Sequence, residues 1–159
     1  MSDKEVKIGV ISDTHGRLHP AVFQLFEKVD YIIHAGDIGD ADILIALQAL
    51  APTIAVFGNT DSFDLRDKLQ AQASLEIYNH SIKVTHIPQF LSRTQFSVNE
   101  KYHIYIFGHT HKAKVEKYDH TLILNPGSAT QSRSKSKPSI ALLYLRPHSE
   151  PRVEIVELP

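Results

Sequence analysis

The stretch Tyr102-His-Ile-Tyr-Ile-Phe-Gly-His-Thr-His111 holds the pattern on which the reading of the whole chain turns. Ile104 to Phe107 is β-branched and aromatic, which reads as a buried strand, and Gly108 then lets the backbone leave the strand axis. Two imidazoles follow at once. Set two residues apart just past a strand end, His109 and His111 can turn neutral ring nitrogens toward one cavity, which is how a metal site begins. Alone, such a pair more often faces solvent in a loop than binds a metal.

The arrangement recurs on the N-terminal side. Val6 to Ser12 is an apolar, β-branched run that ends in Asp13-Thr-His15-Gly16, and Tyr31 to Ala35 ends in Gly36-Asp37. Thr53 to Phe57 ends in Gly58-Asn59-Thr60-Asp61. Between these strands, Leu18, Val22, Leu25, Phe26 and Val29 fall at helical spacing with Pro20 in the first turn, and Asp40 caps a helix carrying Ile43, Leu47 and Leu50 before Pro52. Alternating strands and helices predict β-α-β units and a parallel core.

Beyond Asp64 the pattern changes to hairpins. Leu75 to Tyr78 and Ser81 to Thr85 pair around Asn79-His80, the second strand running into His86, and Val115 to Tyr118 pairs with Thr121 to Leu124 around Asp119-His120. Pro88 to Glu100 permits a helix through Phe90, Leu91, Thr94 and Val98. Two further strands, Ile140 to Leu145 and Val153 to Val156, close the chain. No repeat or linker divides it, so residues 1–159 are expected to form one domain.

Composition excludes several classes. The balance of 17 basic and 18 acidic residues, with a pI near 6.8, calls for neither long nucleic acid nor an anionic membrane. The absence of a long apolar run or a signal peptide predicts a cytoplasmic protein. With no cysteine, any metal must be held by nitrogen and oxygen, and the 10 histidines are the one unusual feature.

Open α/β sheets gather ligands at the carboxyl ends of their strands, so the five strand-end segments should meet in one crevice. The donors they bring are Asp13, His15, Asp37, Asn59, His86, His109 and His111. If one carboxylate bridges, seven residues supply eight bonds, four to each of two divalent ions. Such a pocket is cationic, suits phosphate, and is expected to hydrolyse a phosphate ester by attack of a metal-bridging hydroxide.

Asp13-x-His15, Gly36-Asp37, Gly58-Asn59, the His86 that follows a strand and Gly108-His109-x-His111 together resemble the motif series of the calcineurin-like metallophosphoesterases, and most of all the small YfcE-type phosphodiesterases. The closing Asn125-Pro-Gly-Ser128 is similar too, and the likeness runs from about Lys7 to Leu145. It implies a two-sheet β-sandwich flanked by helices, an α-β-β-α fold. It also implies that Asp13, His15, Asp37 and His111 hold one ion while Asp37, Asn59, His86 and His109 hold the other, with Asp37, Asn59 and His86 closest to catalysis. Four imidazoles favour a transition metal, Mn2+ first, then Ni2+, Fe2+ or Zn2+, with Mg2+ less suited.

Two positions depart from the family pattern. Thr60 stands where many members have a histidine after the metal-binding Asn, and its hydroxyl is no general acid near neutral pH. Ile87-Pro88 replaces the usual Gly and polar residue after His86. Asp61 is expected either to orient the pocket or to cap the next segment, His34 to pack beside the site, and His19, His80, His103, His120 and His148 to be solvated. Arg133, Lys135 and Lys137 lie in a polar loop. The substrate expected is a small or nucleotide-like phosphate ester, and the sequence permits a homo-oligomer. A rival class resembles the retromer scaffold subunit, which has this fold and binds proteins without catalysis.

Overall fold

The computed structural model describes residues 4–88, 101–130 and 136–159. Its first sheet has the order β10-β9-β1-β2-β3, built from Arg152–Glu157, Ser139–Leu145, Val6–Ile11, Tyr31–His34 and Thr53–Ala55. β1, β2 and β3 are mutually parallel, as the strand-helix alternation predicts, whereas β9 runs antiparallel to both β1 and β10. The second sheet has the order β4-β5-β6-β8-β7, from Gln72–Ile77, His80–Thr85, Tyr102–Ile106, Thr121–Asn125 and Lys114–Tyr118. Its two hairpins, β4-β5 and β7-β8, form as expected. The parallel pairing of β5 with β6 and β6 with β8 joins these hairpins and was not read from local pattern.

Strand alternation separates two cores. Ile8, Val10, Ile33 and Val56 point from the first sheet toward Ile82, Val84, Ile104, Ile106, Leu122 and Leu124 of the second, so the interface between the sheets is apolar. On the outer face of the first sheet, Ile11, Ile32, Ile140 and Leu142 pack against three helices, α1 (Ala21–Leu25), α2 (Ala41–Gln48) and α3 (Phe63–Lys68). The α-β-β part of the expected sandwich is thus present. The helix expected over 88–100 falls almost wholly outside the described residues.

Several local expectations need adjusting. α1 has only five residues and begins after Pro20, which occupies the N-cap, because the chain turns at Phe26 to deliver Val29 to the core. Asp40 does cap α2, accepting from Asp42 N at 2.9 Å. β3 stops at Ala55, Val56 making only an isolated bridge to Gln70. The first hairpin turns at Tyr78-Asn79, and His80 belongs to β5. That histidine is fully buried, not solvated: it stacks on Tyr102 with centroids 5.0 Å apart, and its Nε2 lies 2.8 Å from Ser149 O.

Candidate metal centre

The carboxyl ends of β1 and β2 are stitched together beyond their last paired residues. Asp13 N donates to Gly36 O at 3.0 Å, His15 N to Asp37 O at 3.0 Å and Gly16 N to Ile38 O at 2.7 Å. These bonds force the chain through left-handed conformations. Of the described non-glycine residues with positive φ, five are candidate ligands: Asp13 (57°), His15 (47°), Asp37 (55°), His109 (70°) and His111 (63°). Each such conformation costs roughly 1–3 kcal/mol outside glycine, and its concentration here marks a site where geometry was favoured over stability.

Close packing from the other sheet completes the crevice. Gly108 N donates to His86 O at 3.1 Å, and His109 N donates to Asp13 Oδ2 at 3.3 Å, which bridges the two sheets at the strand ends. Gly108 serves a different purpose from the turn expected of it. Its φ is not positive, but a Cβ there would lie 2.0 Å from Ser12 Oγ and 2.7 Å from Asp13 Oδ2, so only a hydrogen leaves room for the carboxylate.

The candidate donors converge. His111 Nε2 lies 3.2 Å from Asp13 Oδ1, His15 Nε2 lies 3.7 Å from the same oxygen and 3.9 Å from Asp37 Oδ2, and His86 Nε2 lies 3.1 Å from Asp37 Oδ2. Asp13, His15 and His111 therefore form one group whose ligand atoms are all within 4.8 Å, and Asp13, Asp37 and His86 form a second. His109 joins through its ring, 5.3 Å from that of His86. Asn59 is exposed on the neighbouring loop, and its carbonyl O accepts from an Arg66 nitrogen at 2.7 Å. Thr60 N donates to Asp37 Oδ1 at 2.9 Å.

Asp61 explains how that loop is held. Its Oδ1 accepts from Gly39 N at 2.9 Å and its Oδ2 from Gly58 N at 2.8 Å, so one buried carboxylate ties the loop after β2 to the loop after β3. Capping of α3 falls instead to Ser62, which accepts from Leu65 N. His34 packs beside the site as expected. Its Nδ1 accepts from Gly36 N at 3.1 Å, so the proton sits on Nε2, which faces Thr14 Oγ1 at 3.0 Å. That hydroxyl in turn donates to Ile38 O.

Supports that carried no distinct signal in the sequence are Ser12, which donates to Asp13 Oδ2 at 2.7 Å, and Thr130, which donates to Asp13 O at 2.9 Å. Ser128 and Asn125 belong to the closing motif. Ser128 donates to Asp13 O, and Asn125 donates to Gly108 O at 3.0 Å.

The residues present fit divalent metal ions. Asp13 Oδ1, Asp37 Oδ2, His86 Nε2 and His109 Nδ1 are all buried without a completed hydrogen bond, a costly state that a cation relieves. Electrostatics point the same way. Burial disfavours the charged imidazole of His86, yet the carboxylates of Asp37 and Asp13 outweigh it and raise its pKa. His15 is raised chiefly by Asp13. Burial acts to raise both carboxyls but is overcome: Asp13 is held low by His15, His86, Ser12 and His111, and Asp37 by His86 and the amide of Thr60. His34, by contrast, is pushed down to about 3 by burial and stays neutral.

A model of the calcineurin-like phosphoesterase superfamily domain matches residues 6–147. The chain belongs to that family. Among its relatives, a probable metallophosphoesterase of Methanocaldococcus jannaschii is 38% identical over 150 residues, covering 85% of this chain and 74% of the relative. A second protein of that organism, named a phosphodiesterase, is 30% identical over 140 residues, covering 77% and 83%. In fold, the chain matches Vacuolar Protein Sorting 29 from Cryptosporidium parvum with a TM-score of 0.76 at 20% identity, over 98% of this chain and 99% of the other. Among the described residues, no helix is long and apolar enough to cross a membrane.

Proposed function

We propose that this phosphoesterase is a dinuclear-metal-dependent hydrolase of a small phosphate ester, a phosphodiester in preference to a monoester, working in the cytoplasm with Mn2+. The observation that supports this most is the convergence of orphaned donor atoms on Asp13, Asp37, His86 and His109. Asp13, His15, Asp37 and His111 hold one ion, and Asp37, Asn59, His86 and His109 hold the other. Two divalent ions there supply an ionised water near neutral pH and positive charge for the phosphoryl oxygens.

The chain's own contribution is to fix these donors before substrate arrives. Thr60 N occupies Asp37 Oδ1 and leaves Oδ2 facing the crevice. Ala35 O lies 2.8 Å from His86 Nδ1, which directs the lone pair of Nε2 inward. Because Thr60 cannot give up a proton as a histidine would, diesters with good leaving groups are preferred. The test is turnover of bis(p-nitrophenyl) phosphate with Mn2+. Wild type is expected to hydrolyse it, and absence of turnover with any divalent ion contradicts the reading.

A second reading is a protein-binding scaffold without catalysis, which the fold likeness to Vacuolar Protein Sorting 29 favours. The donor set argues for the enzyme. A scaffold has no need to keep buried carboxylates facing imidazoles across such short gaps.

A further inference from the structure

Beside the candidate metal centre, α3 turns Phe63 outward, and that side chain is 81% exposed. Single apolar side chains on a surface are ordinary, so what matters is how this one is held. Leu65 anchors the opposite side of α3 in the core. Arg66, one turn after Phe63 and on the same side, lies over the Phe57 ring and reaches back to the metal-site loop. Its Nε donates to Asp61 O at 3.1 Å, and one of its terminal nitrogens donates to Asn59 O at 2.7 Å. The loop it grips is tied to Asp37 by Thr60 N and to Gly39 by Asp61. The helix backbone that carries Phe63 is thus tied to the loop whose Thr60 N contacts the Asp37 carboxylate.

Its distance from the chemistry is bounded by the chain. Thr60 and Phe63 are three residues apart, which is about 11 Å at full extension and less in a turn, so a nucleotide with its phosphorus near Asp37 can reach the ring with its base. Of the other exposed aromatics among the described residues, Phe23 lies on α1 and is only about half as exposed as Phe63, while Tyr78, just past β4, and Tyr118, at the end of β7, lie at the end of the second sheet away from the metal centre. The surface around Phe63 is polar, with Ser62, Asp64, Arg66 and Asp67 all exposed. An acyl chain needs an enclosing apolar wall, which these neighbours do not offer. A planar base needs only one ring face and keeps its polar edges in water.

We propose that Phe63 is a stacking platform for the base of a nucleotide-type phosphodiester, which makes it a specificity residue for the hydrolysis described above. The proposal rests on the phosphoesterase reading and narrows its substrate class. The test is calorimetric titration of wild type, Phe63→Ala and Phe63→Tyr, each with Mn2+, using AMP and ribose 5-phosphate as probes. Wild type is expected to bind AMP more tightly than ribose 5-phosphate by roughly 5- to 150-fold, the range of one base-aromatic stack. Phe63→Ala is expected to bring that ratio near one without changing ribose 5-phosphate affinity, and Phe63→Tyr to keep it. A wild-type ratio near one, or a preference that survives in Phe63→Ala, overturns the platform and leaves the phosphoesterase reading in place. Failure of both probes to bind, with no diester hydrolysed, removes both.

Discussion

Nε2 of His86 and Oδ2 of Asp37 stand 3.1 Å apart, while the other ring nitrogen of His86 is 2.8 Å from the carbonyl of Ala35. If the Ala35 carbonyl holds the ring proton, a neutral imidazole must point a lone pair at a carboxylate oxygen. Two lone pairs that close are tolerable only with a proton or a metal ion between them. The pair therefore has two states of very different chemistry, and solution conditions select between them.

The metal-free protein is accordingly expected to be most stable near pH 6.5, about the value of an unfolded histidine. Below that, His34, held to about 3 in the fold against 6.5 when unfolded, makes the unfolded state bind an extra proton, so stability falls by up to about 1.4 kcal/mol per pH unit. Above it, His15 and His86 have raised folded values, so their contribution, complete below 6.5, is lost as pH rises through the raised range. Bound metal needs neutral imidazoles and reverses the alkaline limb. Denaturant melts at pH 5, 6.5 and 8, with chelator and with Mn2+, are expected to show a maximum in the first series and a continued rise in the second.

Asp61→Ala strands Gly39 N and Gly58 N and unties two ligand loops. The expected loss is about 1–3 kcal/mol of stability per stranded donor, with metal affinity down roughly 10- to 100-fold. Thermal melts and Mn2+ titration read these separately. An unchanged metal affinity would leave Asp61 a purely structural residue.

Gly108→Ala puts a methyl group against Ser12 Oγ and Asp13 Oδ2. Overpacking of this kind costs about 1–3 kcal/mol, and here it must also displace a candidate ligand. Activity should fall more than the melting temperature indicates, measured as turnover well below the transition.

How far the sequence revealed all this depends on whether the signal was local. The five strand-end segments were legible because each pairs an apolar run with a hard or borderline donor, and the expectation that they meet was a rule about sheet ends. The parallel joining of β5 to β6 and of β6 to β8 was not legible, since pairing between distant strands leaves no mark on either one. His80 was misjudged for a similar reason. It reads as a turn residue until β5 is seen to begin there and Tyr102 to lie against it. Gly108 was given the right importance for the wrong cause, because the crowding by Ser12 comes from a strand about a hundred residues away.

The central claim, that these side chains hold a pair of ions bridged by Asp37, is tested most directly by the number of Mn2+ ions bound per chain at saturation, measured by metal analysis of wild type and Asp37→Ala after dialysis. The account predicts two ions for wild type and at most one weakly held ion for the variant. Wild type that binds none, or a variant that still binds two, would contradict it.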